Sequence, residues 1–365
     1  MPDLIDYLEA TVAKGGSDLH IASGTPAYAR INGDLVKLEE AVLDADATRN
    51  LIYAILTESQ RSKFEQEYEL DFALSIESAG RFRGNAHYTR GNVEAAFRHI
   101  PDVVPDIADL GHGHAVEKLA DEAQGLILVT GVTGSGKTTT LAAMAKRILS
   151  RRTCTMVTIE DPVEYVLDHG HGIVKQRQIG LDSHSFPNAL RAALRQDPDV
   201  IIVSELRDLE TIRTAITAAE TGHLVIGTLH TIDAPKSIDR LVDVFPGDQQ
   251  RQVTTQIANC LIGIISQRLI RRADAPGRVL ASEVMLSNHA VQAVIREQRF
   301  AQLIGLIEIN RGEGMHSIDT SLAHLLVNGH ITLEDALTYC RDEEYIQEEL
   351  ANALRASAQQ EAAQH

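Results

Sequence analysis

Apolar and polar positions across Leu4–Val12 predict an opening helix that stops near Lys14-Gly15-Gly16, because glycine is a common residue just past a helix end. Short alternating stretches follow, Asp18-Leu19-His20-Ile21 and Ala27-Tyr28-Ala29-Arg30-Ile31, and the Asn32-Gly33 dipeptide after them predicts a tight hairpin. Two helical segments are expected over 45–57 and 58–67. Strands are expected at Leu70–Ile76, Gly80–Tyr88 and Val93–Ile100. Pro101 and Pro105 then mark a boundary, and Asp106–His114 reads as a linker. From residue 115 helical and strand-like runs alternate, with strands at Leu126–Val129, Thr155–Ile159, Val200–Val203 and Leu224–Thr228. Long helical stretches fill the intervals and dominate after residue 247. Such alternation marks a parallel sheet with helices on both faces. The expected organisation is a small α/β domain over residues 1–105, a linker over 106–120 and a larger α/β domain over 121–365 with a helical C-terminal part. The tail after Arg341 is acidic, then rich in Ala and Gln, and reads as a solvated helix.

The sharpest chemical signal follows the apolar run Leu126-Ile127-Leu128-Val129. Residues 131–138 read Gly131-Val132-Thr133-Gly134-Ser135-Gly136-Lys137-Thr138, a G-x-x-x-x-G-K-T loop between a strand and a helix. Its glycines let successive backbone N–H groups turn inward around a phosphate chain, and the helix N-terminus adds its positive end. Gly131, Thr133, Gly134, Ser135, Gly136, Lys137, Thr138 and Thr139 are therefore the candidate nucleotide-binding residues. Lys137 would reach the β- and γ-phosphates, and the Thr138 hydroxyl would sit on Mg²⁺. ATP with Mg²⁺ is the expected ligand pair.

Composition narrows the partners. Net charge is −17, which repels a polyphosphate backbone, and aromatic residues make up 4% with no Trp, so no base-stacking platform is advertised. Nucleic acid is not an expected partner. Cys154, Cys260 and Cys340 form no CxxC pair, which argues against a zinc site or a disulfide framework. No apolar run approaches the length of a membrane span and no signal pattern opens the chain, so a cytoplasmic protein is expected, with any membrane role coming through a partner.

Three further segments end apolar runs in chemistry-bearing residues. Asp199-Val200-Ile201-Ile202-Val203-Ser204-Glu205 delivers Glu205 to the C-terminal edge of a buried strand, where ligands bind in open α/β sheets; there a carboxylate can organise a metal shell. Thr158-Ile159-Glu160-Asp161-Pro162-Val163-Glu164 brings Glu160 and Glu164 close in sequence, as a base for an attacking water or as outer ligands of Mg²⁺. Thr221-Gly222-His223-Leu224-Val225-Ile226-Gly227-Thr228-Leu229-His230-Thr231 brackets a strand with two histidines. His230 could sense the γ-phosphate, and His223 reads equally as a satisfied core histidine.

These segments, following this P-loop, resemble the Asp box, Walker B and His box of the secretion ATPases, the hexameric motors of type IV pili and type II secretion. Glu205-Leu206-Arg207-Asp208-Leu209-Glu210-Thr211 and Ala218-Ala219-Glu220-Thr221-Gly222-His223-Leu224 are close to that family's signature text, and the likeness runs from Ser17-Asp18-Leu19-His20 to Gly314-Met315-His316-Ser317-Ile318-Asp319. Within the family the chain is most similar to the twitching-motility (pilus-retraction) branch. The resemblance implies a PAS-like N-terminal domain, a RecA-like P-loop ATPase core with a helical C-terminal region, and a homo-hexamer with ATP between neighbouring subunits. It also implies work on an inner-membrane pilus platform protein, with the ring peripheral to the inner membrane through partners and a paralogous retraction ATPase as a possible companion. The family's catalytic glutamate falls on Glu160 with Glu164 in support, its Walker B glutamate on Glu205, and its phosphate-directed arginines on Arg83 and Arg98, in Gly80-Arg81-Phe82-Arg83-Gly84-Asn85 and Ala96-Phe97-Arg98. The chain departs from family text at Val132, Thr138 and Ser204, and at Gln292-Ala293, where the branch usually carries Arg-Asn. An accessory paralogue, an extension or secretion motor, a nucleic-acid motor and a non-hydrolysing adaptor remain open alternatives to retraction.

Overall fold

A computed structural model describes residues 2–31, 33–100 and 103–363, with side chains to residue 356. The chain forms two compact units, Met1–Val103 with Pro162–Val166, and Val104–Asp161 with Leu167–His365.

In the first unit, helix α1 (Leu4–Ala13) starts at Asp3, which forms a reciprocal capping box with Asp6. Strands β1 (Gly16–Ile21), β2 (Tyr28–Ile31) and β3 (Asp34–Lys37) are followed by helices α2 (Ala45–Ile55), capped by Asp44, and α3 (Glu58–Glu67), capped by Thr57. Strands β4 (Glu69–Ile76), β5 (Gly80–Thr89) and β6 (Asn92–Ile100) complete an antiparallel sheet in the order β3-β2-β1-β6-β5-β4. Ile31 pairs with Asp34 across the expected hairpin; Asn32 of its turn, like Pro101 of the expected boundary, lies outside the described residues. Alternate residues of the central strands (Leu19, Ile21, Phe82, Ala86, Val93, Ala95, Phe97) point into one core against Leu4, Leu8, Ile52 and Phe64.

The second unit begins with turns and then α4 (His114–Asp121). Val116, Leu119 and Ala120 of α4 are buried in the core, although residues 106–120 read as a linker in the sequence. The order then runs β7 (Gly125–Thr130), α5 (Lys137–Arg151), β8 (Thr155–Glu160), β9 (Ile173–Gln178), α6 (Phe186–Ala193), β10 (Val200–Val203), α7 (Leu209–Glu220), β11 (Leu224–Leu229), α8 (Ala234–Asp243) and α9 (Gly247–Cys260). After these come β12 (Leu261–Arg271), β13 (Arg278–Leu286), α10 (His289–Arg296), α11 (Leu303–Ile309), α12 (Ile318–Val327), α13 (Leu333–Tyr339) and α14 (Glu343–Ala363). The sheet order is β13-β12-β7-β11-β10-β8-β9, parallel throughout except for β13, which runs antiparallel to β12. This is the mixed α/β class expected, with sheet faces covered on both sides: Leu126, Leu128, Ile201 and Val203 enter one core, and Ile127, Val129, Val200 and Ile202 the other.

Helices dominate after residue 247 as expected, but β12 and β13, which the sequence pattern did not mark, extend the sheet there. Leu261-Ile262-Gly263-Ile264-Ile265 is buried on both faces, and a continuous apolar run carries no period that separates strand from helix. Strand β9 was also unmarked, because an edge strand reading Ile-Val-Lys-Gln-Arg-Gln lacks a buried face to impose alternation. Finally, α14 is not simply solvated: Ile346 is fully buried and joins Leu322, Leu326 and Ala336 in a small C-terminal core against Ile270 and Ala281.

Candidate functional site at the C-terminal edge of the parallel sheet

The loop Gly131–Gly136 leaves β7 and enters α5 at Lys137. Gly131, Gly134 and Gly136 all have positive φ (144°, 78° and 90°), which explains the glycines at these positions. At Gly131 space is limiting too: a Cβ would lie 2.5 Å from both the Gln267 carbonyl oxygen and Ser135 Oγ. The turn is therefore pressed against β12. No side chain caps the N-terminus of α5, and Ser135 Oγ is buried without a hydrogen-bond partner among the described residues. Both features fit a phosphate, which would accept hydrogen bonds from just such groups. Lys137 Nζ donates to the carbonyls of Gly131 (2.7 Å) and Val132 (3.1 Å), which holds the ammonium over the loop. Thr138 and Thr139 lie half-buried in the first turn.

Beneath α5, Thr140 is buried and accepts from Gln267 Nε2 at 2.9 Å, with His112 Nε2 at 3.0 Å from the same hydroxyl. Sequence reasoning passed over His112 and Gln267, which carry no local pattern. Burial pushes the His112 pKa down to about 4, with His316 contributing in the same direction.

The remaining core candidates lie at the same edge. In register, Val203 pairs with Ile159 on one side and Gly227 on the other, while Leu229 pairs with Thr130. The ends of β7, β11, β10 and β8 are therefore neighbours, and they deliver the P-loop, His230, Glu205 and Glu160 respectively. Glu160, the last residue of β8, is 8% exposed, and its Oε1 accepts from Thr158 Oγ1 (2.6 Å) and Gln176 Nε2 (3.0 Å), which fixes the carboxylate. Glu205 follows β10 and lies 3.1 Å (Oε1) from His230 Nε2; it also pairs with Arg207. The Thr228 hydroxyl donates to the Ser204 carbonyl and ties the two strand ends together. His223 turns the other way, its Nδ1 2.9 Å from the Ala218 carbonyl, the satisfied structural histidine of the two readings. Among the described residues no group of three or more His, Cys, Asp or Glu converges as a metal cage. Thr138 and Glu205 are the side chains at this edge that could hold a Mg²⁺ ion, with phosphate oxygens and water completing its shell.

Glu164 and the two arginines belong to the first unit. Arg83 on β5 and Arg98 on β6 are direct register partners. Arg83 Nη1 lies 3.6 Å from Glu164 Oε1, and Arg98 Nε donates to Asp18 Oδ1 at 2.9 Å. Arg81 donates to the Val163 carbonyl at 3.0 Å, so the stretch just after Glu160 and Asp161 is held by the small unit. Glu160 and Glu164, close in sequence, thus fall in different units.

Residues 7–308 match the family model described as type II/IV secretion system protein. The chain is 42% identical to the type IV pilus retraction ATPase PilT of Pseudomonas aeruginosa over 92% of this chain and 97% of that protein. It is 37% identical to the type IV pilus ATPase PilU of the same organism, over 91% and 87% respectively. A crystal structure of the pilus retraction motor PilT with bound ADP superposes with a TM-score of 0.87 at 43% identity, covering 94% of this chain and 98% of that one. With the P-loop, both acidic strand ends and the histidine segment on one sheet edge, and with these likenesses spanning nearly its whole length, the chain belongs to the type II/IV secretion system protein family.

Proposed function

We propose that the chain is an ATP-hydrolysing motor that powers retraction of a type IV pilus, and so twitching motility. The observation that carries this is the alignment of P-loop, His230, Glu205 and Glu160 on four adjacent strand ends. Loop amides, Ser135 and Lys137 hold the phosphates, and Thr133, Thr138 and Thr139 flank them. Bound at Thr138, Mg²⁺ would neutralise charge on the triphosphate. Glu160, oriented by Thr158 and Gln176, accepts the proton of a water aligned on the γ-phosphate. Glu205 organises water around the metal side of the site, and His230 donates from Nε2 toward Glu205 or a phosphate oxygen. Arg83 and Arg98, supplied by a neighbouring subunit of a homo-hexamer and supported by Glu164, stabilise charge on the transferring phosphoryl group. A planar guanidinium fork suits that task, and supply in trans makes turnover depend on the neighbour.

In this reading residues 1–105 form a PAS-like domain, supported by the six-stranded antiparallel order β3-β2-β1-β6-β5-β4, 106–120 connect, and 121–365 form a RecA-like core with a helical C-terminal part. The ring sits on the cytoplasmic side of the inner membrane and acts on a platform protein. Among the described residues no helix is long and apolar enough to cross a membrane, which accords with attachment through partners. A second reading, an accessory motor working beside a paralogue, is favoured by Gln292 and Ala293 on α10 and by the PilU likeness.

The test is to delete the gene and complement it with wild type or Lys137→Ala. Long pili without twitching, rescued by wild type alone, is the expected result, and purified Lys137→Ala should not hydrolyse ATP. Loss of pili altogether would point to extension, and ATP turnover by the variant at the wild-type rate would overturn the site.

A further inference from the structure

Arg341 lies at the joint between α13 and α14, far along the chain from the nucleotide-binding loop; partly exposed itself, it ties together three buried carboxylates. Its main-chain N–H donates to Asp319 Oδ1 on α12 at 2.7 Å. Its guanidinium donates from Nη1 to Glu283 Oε2 on β13 at 2.6 Å, and Nη2 lies 3.5 Å from Asp233 Oδ2. Glu283 is 1% exposed, and its other oxygen accepts the Ala234 N–H, the first of α8, at 2.9 Å. Glu283 is therefore a two-sided clamp, with the start of α8 on one oxygen and the C-terminal bundle on the other.

What the clamp grips is the short run from His230 to Ala234. Asp233 caps α8 by accepting from the Lys236 N–H at 2.8 Å, and its carbonyl accepts from Ser237 Oγ. Ser237 Oγ is in turn 2.6 Å from Thr231 Oγ1. Thr231 adjoins His230, whose Nε2 lies 3.1 Å from Glu205 Oε1. A continuous polar chain thus runs from the C-terminal helices to the histidine–carboxylate pair at the sheet edge. Lysine could not reproduce it, because only a planar fork reaches Glu283 and Asp233 from one stem.

We infer that Arg341 is a positioning residue for hydrolysis: through Glu283 and Asp233 it sets the 231–234 segment and so holds His230 in register with Glu205. The inference rests on the proposed part of His230 and Glu205 in ATP turnover. A merely structural role would instead only pin the C-terminal helices to the sheet.

Steady-state ATPase kinetics of the full-length chain in a double-mutant cycle separate the two. Arg341→Gln is combined with Glu283→Gln so that the buried Glu283 carboxylate is not left without its guanidinium, while Asp233 keeps Lys236, whose Nζ lies 3.7 Å from its Oδ2. The pair is measured in the wild-type and His230→Asn backgrounds, with Arg341→Lys run through the same cycle in case the paired variant does not fold. We expect the paired variant to lower kcat about 10- to 100-fold, the scale of loss when a catalytic group is slightly misplaced. KM for ATP should move less than about twofold, and in the His230→Asn background the same changes should cost less than about twofold in kcat. Any fall in melting temperature should be equal in both backgrounds. Equal losses of kcat in both backgrounds would overturn the inference. A fully active His230→Asn beside an inactive Lys137→Ala would overturn it together with the part assigned to His230. Persistent hydrolysis in Lys137→Ala would overturn the reading of the whole site.

Discussion

Gly131 opens the P-loop, and its replacement by alanine gives a quantitative test of how the loop is built. Two costs apply. Its φ of 144° lies where L-residues are rarely found, a penalty of about 1–3 kcal/mol. The added Cβ would also stand 2.5 Å from Ser135 Oγ, which can rotate, and from the Gln267 carbonyl oxygen, which is backbone of β12 and can retreat only by shifting the strand. Overpacking of this kind costs about 1–3 kcal/mol. The combined destabilisation is about 2–6 kcal/mol, which for a unit of this size lowers the melting temperature by roughly 5–20 °C. Gly134 is the internal control. It too has a positive φ, 78°, yet nothing lies within 4 Å of its would-be Cβ, so Gly134→Ala should cost only the backbone term, about 1–2 kcal/mol. Calorimetry on the two variants, with and without ATP, reads the difference directly. If Gly131→Ala melts no lower than Gly134→Ala, the loop is not wedged against β12 and the argument from close approach fails.

Other expectations follow from named groups. Glu160→Gln keeps an acceptor for the Thr158 hydroxyl, so it should bind ATP normally while losing about 10²–10⁴ in kcat; a wild-type rate would remove Glu160 from the role of base. His112 is held neutral in the fold, with its pKa near 4 against an ordinary 6.5. The unfolded chain therefore takes up the proton first, and this contribution to stability, full above pH 6.5, is lost as pH falls from 6.5 toward 4. Urea midpoints at pH 7 and pH 5 should differ for wild type by more than for His112→Asn, with a ceiling of about 2 kcal/mol on the His112 share over that interval. Equal pH sensitivity of the two proteins would refute that assignment.

Much of this molecule was legible in its sequence, and the reasons are local. Helix starts carry their caps in the text, as at Asp3, Asp44 and Thr57. The antiparallel strands β5 and β6 bury one face only, so their alternation is plain. Strands β7, β8, β10 and β11 are short apolar runs that end in Gly131, Glu160, Ser204-Glu205 and His230, and a parallel sheet brings such ends to one edge. That single topological rule is why the P-loop, Glu160, Glu205 and His230 could be placed on one edge from the sequence. It is also why the rule went no further than the strands it recognised. β12 lacked both a period and a chemical residue at its end, so its contribution, the Gln267 carbonyl behind Gly131 and the Gln267 amide on Thr140, had no signal to find.

The same limit explains the two features that only the fold supplies. Glu160 and Glu164 read as one acidic cluster, yet Pro162–Val166 leaves the large unit and packs with the small one, where Arg81 takes the Val163 carbonyl and Arg83 faces Glu164. Neighbours along the chain thus belong to different units: one carboxylate is fixed at the sheet edge by Thr158 and Gln176, and the other joins the arginine-bearing unit. Arg341 makes the converse point. Asp233, Glu283, Asp319 and Arg341 come from separate parts of the chain, the contacts that join them span tens of residues, and the arginine looked like the start of a solvated tail. A buried carboxylate such as Glu283 is tolerable only when its charge and both oxygens are answered, and here a distant guanidinium and a helix-opening amide answer them. Motif text thus locates the groups proposed to touch ATP. The groups that hold those in place are written into long-range contacts, and His230 is bound to the C-terminal helices through just such a set.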